Sequence, residues 1–136
     1  VEPHVILVDT SAWIEFLRGT DSSVCDAVDR LLDDDLATCD AIWMELLAGA
    51  RDETQLAQLR GLLARTTKLS TSPADYELAS ALYRTCRLRG ETVRRLIDCL
   101  IAAVAVRADI EILHADRDFE VLARHTDVRT HQDSRH

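Results

Sequence analysis

Residues 96–106, LIDCLIAAVAV, constrain this chain more than any other stretch, because Asp98 is the one charge among eleven residues. A helix of that composition is apolar all round, so it must be buried between other elements rather than lie on a surface. No uncharged run in the chain exceeds about eight residues, so nothing here is long enough to span a bilayer. The 136 residues fit one domain, residues 1–136. A chain of that length buries roughly two thirds of its unfolded surface, enough to enclose such a helix.

The first strand sets the fold class. Val5-Ile6-Leu7-Val8 is short, β-branched and apolar without alternation, the pattern of a strand covered on both faces, and it stops at Asp9. Strands and helices then alternate. Ser11 can cap a helix over 12–18 that Gly19 ends, and a second helix covers 22–34. Residues 36–39 read as a strand, and Asp40 as the cap of a helix over 41–50. An amphipathic helix at 53–64 and a strand at 66–69 follow. Ser72-Pro73 opens a long helix to 88, with Gly90 just past its end and Tyr76, Ala79, Leu82, Tyr83 and Cys86 as its inner stripe. The buried helix spans 96–108. A fourth strand is expected at 111–114, a short helix at 118–124 and a fifth strand at 128–130. This order predicts an α/β fold of three layers, α/β/α, around a mainly parallel sheet of four to five strands.

Four carboxylates stand out from the 24 acids. Asp9 ends the first strand and Asp116 follows the fourth, at the edge where parallel α/β folds bind ligands. Glu45 is the one charge in AIWMELLAGA, residues 41–50, as Asp98 is in its helix. An unpaired ionised carboxylate in such a place costs several kcal/mol, so each must be paired, protonated or bound to metal. Singly, each has an ordinary explanation: Asp9 as a turn cap, Glu45 paired with Arg51, Asp98 with Arg94 or Arg95. Together they point to one cleft whose mutual repulsion a divalent cation relieves. Oxygen-only ligands suit hard cations, Mg²⁺ or Mn²⁺, and no Cys/His cluster with zinc spacing is present. Cys25, Cys39, Cys86 and Cys99 read as reduced cysteines, three of them in the core, which fits a cytoplasmic protein. The segment 1–9 lacks the basic flank of a secretory signal.

ILVDTSAWIEFL at 6–17, the lone Glu45, RLIDCLIAAVAV at 95–106 and LHADRDFEVLARH at 113–125 resemble, in this order, the PIN-domain family. Within it the chain is most similar to the VapC ribonuclease toxins of bacterial toxin–antitoxin pairs. The resemblance implies a metal-dependent endoribonuclease whose acidic quartet is Asp9, Glu45, Asp98 and Asp116. Asp118 matches an additional metal-site acid, and Ser11 a hydroxyl residue beside the first Asp. Ala115 stands where the family often has Asn. One or two Mg²⁺ or Mn²⁺ ions at the quartet would activate water for phosphodiester hydrolysis, leaving a 5′-phosphate and a 3′-hydroxyl. His114, adjacent in sequence, reads as a core residue. The resemblance also implies a small cognate antitoxin covering the groove, and a homodimer. Trp13, Phe16 and Trp43 are available as contact surface, with a core role as the default for each.

Net charge is −8, which argues against nonspecific binding of nucleic acid through a basic surface but not against a nucleic-acid enzyme that borrows positive charge from metal ions. The imbalance lies in the first half, −7 over residues 1–68 against −1 over 69–136. Arg84, Arg87, Arg89, Arg94 and Arg95 lie together just before the Asp98 helix. Guanidinium forks suit phosphates, so this cluster is the candidate RNA-contact edge, with a solvated helix end as the alternative. Other functions fit less well. A phosphotransfer hydrolase with an Asp nucleophile needs a second acid where Ser11 stands. A receiver domain needs a late lysine, and Lys68 is the only one. An RNA-processing PIN nuclease without antitoxin, or a PIN-like binding module that has lost catalysis, remain the alternatives within the fold.

Overall fold

The computed structural model describes residues 5–33 and 35–135. Val1–His4, on which part of the leader reading falls, and Asp34, the expected end of the second helix, lie outside the described residues. The elements are β1 (Ile6–Val8), α1 (Thr10–Arg18), α2 (Ser23–Leu31), β2 (Leu36–Cys39), α3 (Asp40–Ala48), α4 (Glu53–Leu63), β3 (Thr67–Leu69), α5 (Pro73–Leu88), α6 (Leu96–Ala108), β4 (Ile112–Leu113) and α7 (Arg117–His125).

The sheet is parallel throughout and ordered β3-β2-β1-β4, with helices flanking it. Leu7 is in register with Ala37 on one side and Ile112 on the other. The chain builds outward from β1 to β2 to β3 and then returns to place β4 on the opposite side of β1. The direction of winding therefore reverses between β1 and β4, which opens a crevice at the carboxyl ends of those two strands. The fifth strand expected at 128–130 shortens to one parallel bridge, Thr130 with Ile112. Backbone bonds from Ile112 N–H to Arg129 O and from His131 N–H to Ile112 O nevertheless hold this tail along β4.

The apolar helix α6 is buried as its composition requires, with Ile101, Ala102, Ala103 and Val104 fully enclosed. Its small residues allow close packing against α5 and α7, and Trp13, Leu7, Leu113 and Phe119 fill the remaining centre. Two placements differ from the sequence pattern. Tyr76, expected on the inner stripe of α5, is 60% exposed, and Leu96 at the start of α6 is 59% exposed. Both sit in the first turns of their helices, where the flanking chain does not cover them. Trp13 is wholly buried, whereas Phe16 and Trp43 are partly buried against the core. Trp43 donates to Thr38 Oγ1 at 2.9 Å and carries Lys68 Nζ over its ring at 4.7 Å. All four cysteines are free, and Cys39, Cys86 and Cys99 are buried.

Helix starts show what the strand-end acids do locally. Helix α1 begins at Thr10 and not at Ala12, because Asp9 rather than Ser11 is its cap, accepting from Ser11 N–H at 2.9 Å. In the same way α7 begins at Arg117, capped by Asp116, which accepts from Asp118 N–H at 2.9 Å. Asp40 is the first residue of α3 rather than its cap. Gly19 ends α1 in the left-handed region, at φ 61°, where a side chain would be strained.

Candidate active site

Three helix N-termini meet at the crevice between β1 and β4. Asp9 caps α1, Asp116 caps α7, and Asp98 stands in the first turn of α6. Each is therefore near the positive end of a helix dipole, which favours negative charge. Ligand oxygens of Asp98, Asp116 and Asp118 lie within 4.8 Å of one another, close enough to share one cation. Glu45, from α3, reaches the same place: its Oε1 accepts from Thr10 Oγ1 at 2.6 Å, next to Asp9.

Burial is deep at the centre and shallower at the rim. Asp9, Asp98 and Asp118 are 3%, 2% and 0% exposed. The side chains of Glu45 and Asp116 are 15% and 16% exposed. Burial pushes Asp9 up to about 6, with Glu45 and Asp116 adding to the rise and the Ser11 bonds opposing it. Burial pushes Asp98 up to about 9, helped by the hydrogen bond it shares with Asp118 and by the charges of Asp9 and Asp116, against the pull of Arg95. Burial also works against charge on Asp118. There, bonds from Asp98 and from Arg94 and Arg95 win, and its carboxyl lies below the usual range. Asp98 therefore keeps a proton that it donates towards Asp118.

The supporting contacts are specific. Ser11 Oγ donates to Asp9 Oδ2 at 2.5 Å and accepts from Ala115 N–H at 2.9 Å, so one hydroxyl ties the β1 corner to the β4 corner. His114 is fully buried, as its reading as a core residue requires. Its Nδ1 accepts from Asp116 N–H at 3.1 Å, which leaves the ring proton on Nε2, 3.1 Å from Glu120 Oε1. Its ring lies beside Phe119, with centroids 5.3 Å apart. Thr10 is thus a positioning residue that the sequence reading passes over, and His114 is a core residue, as read, that also holds the Asp116 backbone. The hydroxyl between Asp9 and Ser11 was the available signal for Thr10. Nothing local marks that second role of His114.

The expected ion pairs re-sort. Arg95, not Arg51, pairs with Glu45. Arg94 pairs with Asp116 and Asp118, at 2.7 and 3.2 Å, and not with Asp98. Arg84, Arg87 and Arg89 stay exposed at the end of α5, where Arg87 lies 5.7 Å from the Tyr83 ring centre. Burial raises the thiols of Cys39 and Cys99 to about 11 and about 12, so neither offers a thiolate nucleophile.

The chain matches the PIN domain over residues 6–125. It is 43% identical to ribonuclease VapC11 of Mycobacterium tuberculosis over 129 residues, covering 92% of this chain and 96% of the relative. Among solved structures it resembles VapBC-5 of the same organism, a member of the VapBC family of toxin–antitoxin systems, at 25% identity and a TM-score of 0.66, covering 94% of this chain and 98% of that one. VapBC2 of Rickettsia felis, solved with a promoter DNA fragment, shares the fold at 16% identity and a TM-score of 0.75, covering 93% and 97%. A parallel sheet with acids gathered at its β1–β4 switch point, matched along nearly its whole length, places this chain in the PIN-domain family, in its VapC branch.

Proposed function

We propose that the chain is a divalent-metal-dependent endoribonuclease, the toxin of a VapBC-type pair. The observation that carries the metal reading is the state of two buried oxygens. Among the described residues, Asp9 Oδ1 and Asp98 Oδ2 are enclosed without a hydrogen-bond donor. Orphaned carboxylate oxygens are costly, and these sit in an all-oxygen set that suits Mg²⁺ or Mn²⁺. The residues therefore fit the ion. Asp9, Glu45, Asp98 and Asp116 are the proposed ligands.

Asp118 stands within reach of the same ion. Its Oδ1 already accepts twice from Arg94, through the backbone N–H at 3.0 Å and Nε at 3.2 Å. Its Oδ2 accepts from Arg95 N–H at 3.1 Å. We assign Asp118 chiefly to holding that corner and only secondarily to the metal. A bound ion supplies Lewis acidity, a lowered water pKa and charge neutralisation for a phosphodiester. Ser11 holds Asp9 at one oxygen and leaves the other free. Thr10 aims Glu45. To serve as a ligand Asp98 would give up its proton to solvent, since Asp118, held below the usual carboxylate range by Asp98, Arg94 and Arg95, stays charged beside it.

Partner surfaces flank the site. A groove of about 460 Å³ leads from Glu45 and Thr10 along Ile14, Leu17, Arg51 and Leu59, between α1, α3 and α4. An antitoxin segment laid there would cover the acids. A smaller apolar groove of about 290 Å³ runs by Tyr76, Leu96, Ile97 and Leu100 and is offered for self-association. Among the described residues no helix is long and apolar enough to cross a membrane.

The test is RNA cleavage in Mg²⁺ by Asp9→Asn and Asp98→Asn proteins shown by circular dichroism to be folded. Both should lose activity by at least about 100-fold, and EDTA should stop the parent. A folded variant that cleaves at the parent rate removes that acid from the site.

A further inference from the structure

The two arginines nearest the acids are not disposed like the rest of their cluster. Arg94 Nη2 bonds Asp116 Oδ1 at 2.7 Å, and Arg95 Nη2 bonds Glu45 Oε2. These are rim oxygens of two proposed metal ligands. The roots of both side chains are fixed, because their backbone N–H groups donate to the fully buried Asp118 carboxylate at 3.0 and 3.1 Å. Their heads are more open: the side chains are 60% and 51% exposed, although Arg94 Nε also donates to Asp118 Oδ1 at 3.2 Å, so for Arg94 the exchange concerns its Nη2 bond to Asp116. A long side chain rooted firmly and exposed at its tip can exchange its partner without disturbing the fold.

The other arginines of this region are engaged elsewhere. Arg117 and Arg124 both turn to Glu91, at 3.4 and 3.2 Å, and Arg107 turns to Asp75 at 2.7 Å. Arg94 and Arg95 are thus the two that bring positive charge onto the quartet. Two guanidinium charges and one divalent ion are equal in charge, and like charges at contact distance repel.

We propose that Arg94 and Arg95 are internal counter-cations of the metal site. Each must release a rim oxygen before a divalent ion can use it. The chain then carries its own threshold for metal, and the released guanidinium groups face the cleft that an anionic substrate enters. Asp118 is the positioning residue that keeps the pair at this place. The inference rests on the metal reading above.

Calorimetric titration of Mn²⁺ into the full chain tests it, at low ionic strength, for the parent, Arg94→Gln, Arg95→Gln and Arg89→Gln. Arg89 belongs to the same basic run but makes no contact with the quartet, so its variant reports the loss of one charge alone. Arg94→Gln and Arg95→Gln should each bind Mn²⁺ about 2- to 5-fold more tightly than the parent, the range for releasing a half-exposed ion pair. Arg89→Gln should match the parent. Arg95→Lys, which keeps the charge but loses the fork, should fall between, and it serves as the readable variant if Arg95→Gln does not fold. Parent-like or weaker binding by both glutamine variants overturns the inference while the metal reading stands. Equal tightening by Arg89→Gln also overturns it, since the contacts would then have no part. No Mn²⁺ binding by any of the chains overturns the metal reading and this inference together.

Discussion

Replacing Asp98 by Asn should make the protein more stable as well as inactive, and the size of that gain follows from the burial of one carboxyl. Asp98 is held at about 9 against an ordinary 3.8. The unfolded chain therefore releases this proton near pH 4, while the folded chain keeps it to about pH 9. Between those values the folded state binds more protons, so its stability is complete below pH 4 and falls as pH rises, by about 1.4 kcal/mol per unit. At pH 7 the accumulated cost is about 4 kcal/mol, an upper bound because water and relaxation admit some charge. Asn is neutral at every pH and can still donate to Asp118, so about 2–4 kcal/mol should be recovered at pH 7. Urea unfolding in EDTA at pH 6 and pH 8 measures it. The parent should lose about 3 kcal/mol from Asp98 between those values, and Asp98→Asn should lack that part of the slope. Asp9, at about 6, contributes in the same sense but mostly below pH 6. Subtracting the two proteins cancels the histidines that also titrate there. Mg²⁺ should raise parent stability at pH 8 and leave the variant nearly unchanged. Identical pH slopes in the two proteins would refute the reasoning.

Other substitutions separate positioning from framework. Ser11→Ala removes the bond to Asp9 and the acceptor for Ala115 N–H, so it should cost about 1–2 kcal/mol in urea unfolding and slow RNA cleavage; unchanged cleavage would show that Asp9 needs no such tether. Charge reversal at Arg87 and Arg89 should weaken RNA cleavage and flatten its salt dependence, and no change in either removes these two from the RNA edge. Asp75→Ala breaks the pair with Arg107 and the capping box of α5, far from the crevice. It should cost about 2 kcal/mol and leave the cleavage rate per folded molecule intact, and a lost rate would connect α5 to catalysis.

Much of the molecule can be read locally. The covered strand at Ile6–Val8, the enclosed helix α6 and the punctuation by Gly19 and Ser72-Pro73 follow from periodicity and backbone preference, and all stand where those rules put them. The acids were legible for a different reason: a charge in an apolar run has to be answered, wherever the answer comes from. The same local logic misplaced the starts of α1, α3 and α7. An Asp and a Ser two residues apart are both good caps, and only the chain's exit from β1 selects Asp9. Tyr76 failed because periodicity says which face a residue is on but not whether the neighbouring helix extends far enough to cover it.

What answers the acids belongs to tertiary structure. Glu45 lies 50 residues from Arg95, and Arg94 lies 22 and 24 residues from Asp116 and Asp118. No spacing rule ranks Arg95 above Arg51 for Glu45. The choice is made when β4 returns beside β1 and the start of α6 comes against α3. The sequence by itself determined the strands, the buried helix and the acids that could not stand alone. The reversal of winding between β1 and β4 decided that those acids share one crevice, which oxygens lack a donor there, and which two arginines reach them. Periodicity acts over a few residues, whereas carboxylate repulsion and its relief act only between groups that packing has brought together.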